Sequence, residues 1–418
     1  MEGFLEGFRI LDVTDSRGHL CGRILGDMGA DVIKIEPPGG DASRETGPFY
    51  HDESDPEKSL NWFYANANKR GITLDLESPR GKDIFQDLVK GADLVIESFV
   101  PQYMASIGLG YESLSKIKPD IILTSITPFG QDGPYSSYAV TDLVVEAMGG
   151  MVYAYGDPDR PPVRISAPQS YFLGSQHAAA GSMTALYHRE MTGVGQCVDV
   201  SMQEAITLSL TYFLPYWDHH RIVRSRGGSE TIRPRPDPQE DLKLKWLYPC
   251  RDGYVCLTFQ GAGTAPVKSS RAIVAWANEE GFAEKIAGYN WETWDSATIE
   301  QKQQDLLQDE IAPFIATKTR AELLEGAAGR RILLAPVNAV SDLPDNPQFA
   351  AREFWQDIYH PELNDVVTYP GPSVKVDACP QRIFRRAPII GEHNGEIYGD
   401  ELGMAVEERR LLQSRGVI

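Results

Sequence analysis

Over its first 130 residues the chain alternates short apolar runs with amphipathic segments. Residues 8–13 and 31–36 read as short strands, and 93–97 and 121–126 as buried strands of the continuous apolar kind found in parallel sheets. Between them, Leu20 to Met28 has helical spacing and stops at Gly29. Ser78-Pro79 supplies an N-cap and a first helical position, followed by Ile84, Phe85, Leu88 and Val89 on one helix face. Strand, helix, strand in this order predicts a Rossmann-like, doubly wound α/β beginning. The turn after the first strand, Asp15-Ser16-Arg17-Gly18-His19, has no GxGxxG, so an ordinary dinucleotide site is not expected.

Downstream, residues 171–187 are rich in Gly and Ala, which suits a helix lying close against another backbone. Residues 221–245 turn to charge, Gly227-Gly228 and Pro234, Pro236 and Pro238, the composition of a connector. Residues 246–259 return to strand character around a turn at Arg251-Asp252-Gly253, and helical patterns follow over 270–282 and 299–324. From Ala335 the chain reads as irregular and proline-rich, ending in a charged helix over 401–414. The expected organisation is a large α/β domain (1–220), a connector (221–245), a small α+β domain (246–330) and a tail returning to the large domain (331–418).

At 418 residues the chain exceeds the roughly 250–300 residues at which single cores stop growing, which calls for two lobes. Forty basic against 59 acidic residues leave a net charge of −19, which disfavours nucleic acid and anionic membranes as partners. Cys21, Cys197, Cys250, Cys256 and Cys379 form no CxxC and read as reduced thiols. The pair His219-His220 lacks further ligands at regular spacing, so no metal site is expected. With no signal-peptide pattern and no apolar run of membrane-spanning length, a cytoplasmic protein is expected.

A series of ordered motifs carries a resemblance across nearly the whole chain. They are Gly29-Ala30-Asp31-Val32-Ile33-Lys34-Ile35-Glu36-Pro37, Asn68-Lys69-Arg70-Gly71-Ile72-Thr73-Leu74-Asp75, Gly108-Leu109-Gly110-Tyr111, Pro128-Phe129-Gly130-Gln131-Asp132-Gly133-Pro134-Tyr135, Thr192-Gly193-Val194-Gly195-Gln196, Ala335-Pro336-Val337-Asn338 and Gly391-Glu392-His393-Asn394. The set resembles the class III, formyl-CoA transferase-like family of CoA-transferases and acyl-CoA racemases. That resemblance implies a large Rossmann-like domain built from both chain ends, a small domain between, and two subunits interlocked as rings. It implies a CoA thioester as substrate and no permanently bound cofactor.

In that family an aspartate attacks the donor thioester to give a mixed anhydride, the activation that a free acid needs before it can accept CoA. A glycine follows that aspartate four residues on. Here Gly174 is kept and Ser170 stands in the aspartate's place. A serine hydroxyl with no base beside it in sequence would give only an ester, so no catalytic residue is assigned. Asp142 matches a common family aspartate and is read as structural; Asp157 and Asp159 read as turn formers. The racemase branch uses a histidine just before the Asp142 equivalent, where this chain has Thr141.

The family's CoA motif after the fourth strand is altered to Glu97-Ser98-Phe99-Val100-Pro101-Gln102, and a basic residue common a little later is replaced near Ser106. By carry-over, Arg44, Lys69, Arg70, Ser98 and Phe99 are the candidate CoA contacts. The loop Gly261-Ala262-Gly263-Thr264 falls where the family has a longer glycine lid. The resemblance thus implies a nucleophile-lacking subunit of a heteromeric transferase, partnered by a homologous chain that keeps the aspartate, with succinyl-CoA as donor and an aryl-substituted succinate such as benzylsuccinate as acceptor. A homo-oligomeric acyl-CoA-binding or regulatory protein, and an active homodimer using another nucleophile, are the alternatives.

Overall fold

Six short strands pair in parallel into one sheet in the computed structural model, which describes residues 3–211, 213–224, 226–233, 235, 241–261, 265–379 and 381–418. They are β1 (Arg9–Asp12), β2 (Asp31–Glu36), β3 (Lys69–Thr73), β4 (Leu94–Glu97), β5 (Ile122–Thr127) and β6 (Cys197–Ser201), in the order β3-β2-β1-β4-β5-β6. The order reverses at β1/β4, which opens a crevice at the carboxyl ends of the strands. The expected α/β fold is present, and the four apolar runs are strands β1, β2, β4 and β5. Pro79–Lys90 is a helix capped by the Ser78 hydroxyl, which accepts from the Gly81 N–H at 3.0 Å; it buries Ile84, Phe85, Leu88 and Val89 against the sheet.

The small-residue segment is a helix from Gln169 to Thr192, packed on β5, β6 and the helix His19–Asp27. Gly174 has to be small: a Cβ there would lie 2.8 Å from Met202 Cγ. Inside the interface the Ser182 and Thr124 hydroxyls pair at 2.8 Å.

One compact unit comprises Met1–Gly150, Ser166–Ser209 and Asn346–Ile418. Within it the tail seals the outer edge of β3. His393 N–H donates to the Gly71 carbonyl at 2.9 Å, Asn394 Oδ1 accepts from the Thr73 N–H at 3.0 Å, and the Tyr398 hydroxyl donates to the Thr73 carbonyl at 2.6 Å. The Gly391-Glu392-His393-Asn394 motif therefore covers a sheet edge that would otherwise invite pairing. Leu412, Val417 and Ile418 complete the apolar layer over this face. The tail is more regular than its proline content implies: Trp355–His360 and Asp365–Pro370 form an antiparallel hairpin, and the terminal helix is Val406–Ser414.

The second unit comprises Met151–Ile165 and Leu210–Asp345. The strand pair around Arg251-Asp252 is present as Leu247–Cys250 and Gly253–Leu257, joined by Leu334–Pro336. The helical pattern over 299–324 is two helices, Gln301–Ala316 and Arg320–Arg330, the second begun by a reciprocal Thr319–Glu322 capping box. Pro234, Pro236 and Pro238 of the connector and residues 262–264 of the glycine loop lie outside the described residues. Among the described residues, no helix is long and apolar enough to cross a membrane.

Candidate functional site at the carboxyl edge of the sheet

Ser170 sits in the first turn of the long helix and is fully buried. Its N–H and its hydroxyl both donate to Asp142 Oδ1, at 3.0 and 2.7 Å. One turn along the helix Asp142–Met148, Glu146 accepts from the Gln169 N–H at 3.3 Å. Two carboxylates spaced i, i+4 on one helix thus cap the positive end of another, whose own cap position, Pro168, offers no side-chain acceptor. Asp142 Oδ1 thus serves as a cap for the long helix. No base stands beside Ser170 in sequence, and the fold brings a carboxylate 28 residues away into contact with it. A carboxylate is nevertheless a far weaker base than the histidine that usually activates a serine.

The loop after β1 reaches this region. Ser175 Oγ donates to the Arg17 carbonyl at 3.2 Å, and the Arg17 guanidinium is held on Asp15 by contacts of 2.6 to 2.9 Å. Burial raises the Tyr171 phenol, and the charges of Asp142, Arg17 and Asp15 all act on it. Arg17 was visible in sequence only as part of a turn without a glycine fingerprint; no spacing signal places it beside the long helix.

Two cavities open at the carboxyl end of the sheet. One of about 450 Å³ lies at the strand-order reversal, lined by residues that follow β1 to β4, among them Asp15, Asp41, Asp75, Glu77, Ser98 and Phe99. Ser98 bridges the reversal: its hydroxyl donates to Asp15 Oδ1 at 2.9 Å and accepts from the Asp15 N–H at 2.8 Å. The Phe99 ring lies 4.7 Å from that of Tyr103, whose hydroxyl donates to Glu77 at 2.9 Å. The other cavity, about 540 Å³, is lined in part by Glu97, Glu112, Ser125, Gln131, Cys197 and Asp199. Burial pushes the Glu97 carboxyl up to about 7, against the lowering pull of Ser125, the Phe99 N–H and Arg17. Among the described residues, no Lys, Arg or His lines either cavity.

The three candidate cations lie inside the fold instead. Arg44 is buried, with its five N–H groups directed to Glu36, Glu57 and the Pro56 and Pro388 carbonyls, and with its guanidinium 3.8 Å above the Trp62 ring. Lys69 gives its three ammonium protons to Asp12, the His19 carbonyl and Asn66 at 2.7 to 2.8 Å. Burial lowers it to about 8, partly offset by Asp12. Arg70 is clamped by Asp31, Glu396 and Glu401 and fastens the tail to β2 and β3. Of the five candidate CoA contacts, the structure brings only Ser98 and Phe99 to the crevice; a phosphate contact from the other three would require breaking their ion pairs, which for Arg44 and Lys69 are buried.

The site thus combines a doubly wound sheet with its crevice at a β1/β4 reversal, a long small-residue helix and a tail that closes the edge of β3. The signature of CoA-transferase family III matches residues 5–394, and the chain belongs to that family. It is 34% identical to the succinyl-CoA:(R)-benzylsuccinate CoA-transferase subunit BbsE of Thauera aromatica, over 93% of this chain and 92% of that one. It is 30% identical to a succinyl-CoA–D-citramalate CoA-transferase of Chloroflexus aurantiacus, over 99% and 98%. A crystal structure of a CAIB/BAIF family protein from Brucella suis superposes with a TM-score of 0.80 at 26% identity, covering 96% of this chain and 100% of that one.

Proposed function

We propose that this chain is the nucleophile-lacking subunit of a heteromeric family III CoA-transferase that moves CoA from succinyl-CoA to an aryl-substituted succinate such as benzylsuccinate. Its partner is a homologous chain that supplies the aspartate, and the complex works in the cytoplasm. The observation that carries this reading is the Ser170 hydroxyl, buried and spent on Asp142 at the start of the helix where the family's nucleophile belongs. The cation-free crevice supports it, since CoA brings phosphate charges that the candidate Arg and Lys residues are not free to meet. The acceptor class follows the benzylsuccinate relative.

A second reading, an active homodimer with Asp142 as nucleophile, has one observation in its favour: among the described residues, Asp142 Oδ2 is buried without a hydrogen-bond partner. The capping of the helix by Oδ1 and the cation-free crevice weigh against it. The test is CoA transfer by the chain alone and after co-expression with an aspartate-bearing homologue. We expect no turnover alone and turnover in the mixture, retained by Ser170→Ala. Substantial turnover by the isolated chain, abolished in Asp142→Asn, would establish the second reading instead.

A further inference from the structure

The carboxyl-edge cavities carry no basic side chain, yet a third cleft of about 740 Å³, formed by residues 352–358 at the start of the hairpin and the segment after it, is lined by three: Arg352, Lys375 and Arg382. That volume is within the range of small-molecule sites. Three carboxylates also line it. Glu353 pairs with Lys375 at 3.6 Å, and Asp357 accepts from the Thr368 hydroxyl at 2.7 Å, which leaves Asp377. Arg352 and Arg382 have no ion pair or side-chain hydrogen bond among the described residues. In a chain of net charge −19, where buried Arg44 and Arg70 are held by carboxylates and carbonyls, these two exposed guanidinium groups line one cleft with no anionic partner of their own. Trp355, Ile358, Val376 and Ile383 give the lining its apolar part, beside Gln356 and Gln381, and the Trp355 indole N–H is buried without an acceptor among the described residues.

We infer that this cleft binds a small organic anion with two acidic groups on an apolar body. Each guanidinium offers a planar fork that matches a carboxylate, and the tryptophan and isoleucine side chains cover the body. Neither group needs to leave an existing partner to bind. The site is separate from the carboxyl-edge crevice, and the inference stands whether or not the transfer reading does.

The test is isothermal titration of phenylsuccinate, a dicarboxylate with a ring, into the full chain, with inorganic phosphate as a second titrant. Phenylsuccinate is expected to bind saturably, and Arg352→Ala and Arg382→Ala each to weaken it about tenfold or more, the scale of a charge-assisted hydrogen bond. Because both side chains are exposed and unpaired, the variants should keep the parent's circular dichroism and melting temperature. Trp355→Phe should weaken phenylsuccinate but leave phosphate unchanged. No saturable phenylsuccinate binding, or undiminished binding by the double arginine variant, overturns the inference. Equal affinity for phosphate overturns the part assigned to the apolar body.

Discussion

Replacing Glu97 by Gln tests whether the crevice is as dry as its geometry implies. Glu97 is 3% exposed at the end of β4, accepts from the Phe99 N–H at 2.8 Å and has its carboxyl held at about 7 by burial, against an ordinary 4.5. A carboxyl raised on folding contributes stability in full below its unfolded value and loses it as pH rises through its folded value. The interval from 4.5 to about 7 therefore corresponds to about 3 kcal/mol of stability lost between pH 4.5 and pH 8. Asp27, raised by burial to about 6, adds a second loss in an overlapping window, so the wild type alone does not isolate Glu97. The assay is urea denaturation followed by tryptophan fluorescence at half-unit steps of pH, for the wild type and Glu97→Gln. The uncharged amide should flatten the profile by about 3 kcal/mol across this range while leaving the Asp27 part. Parallel profiles for the two proteins would refute the argument and mean that water reaches the Glu97 carboxylate.

Other outcomes follow from the buried ions and the helix cap. Lys69→Met should cost about 3–5 kcal/mol in urea denaturation, because it leaves Asp12 without its 2.7 Å partner; a change below about 1 kcal/mol would place Lys69 outside the structural role. Ser170→Asp should not restore transfer by the isolated chain, since the crevice still lacks cations, and it should lose stability as pH rises because two buried carboxylates would share one site. Measurable transfer by that variant would show that the aspartate was the only thing missing. Asp142→Ala should lower the melting temperature through loss of the helix cap, by the equivalent of about 1–2 kcal/mol; an unchanged melting temperature would argue that Asp142 is kept for chemistry.

The strands that could be read directly were those whose apolar residues dominate the run, such as Val32, Ile33 and Ile35 in β2 or Leu94 to Ile96 in β4. Strand β3 is just as buried but begins Lys69-Arg70, and charges read as solvated until their partners are known; those partners, Asp12, Asn66, Asp31, Glu396 and Glu401, are scattered along the chain. The same blindness made Arg44, Lys69 and Arg70 look available to a phosphate. The tail hairpin was hidden because it is partly exposed and turns through Asn364 in a left-handed conformation, with no Asn-Gly signal. The break before Arg320 was passed over although its signal is local: Thr319 and Glu322 stand at capping-box spacing. At the site, the sequence showed that Ser170 replaces an aspartate. Only the packing of two helices showed what the serine does there, which is to hold Asp142.

The central claim, that the chemistry belongs to the other chain, is tested most directly by trapping the acyl-enzyme. The heteromer is mixed with succinyl-CoA, quenched with hydroxylamine and digested, and hydroxamate-bearing carboxylates are located by mass spectrometry. The account predicts the mark on the partner's aspartate and none on any carboxylate of this chain. A hydroxamate at Asp142 would contradict it.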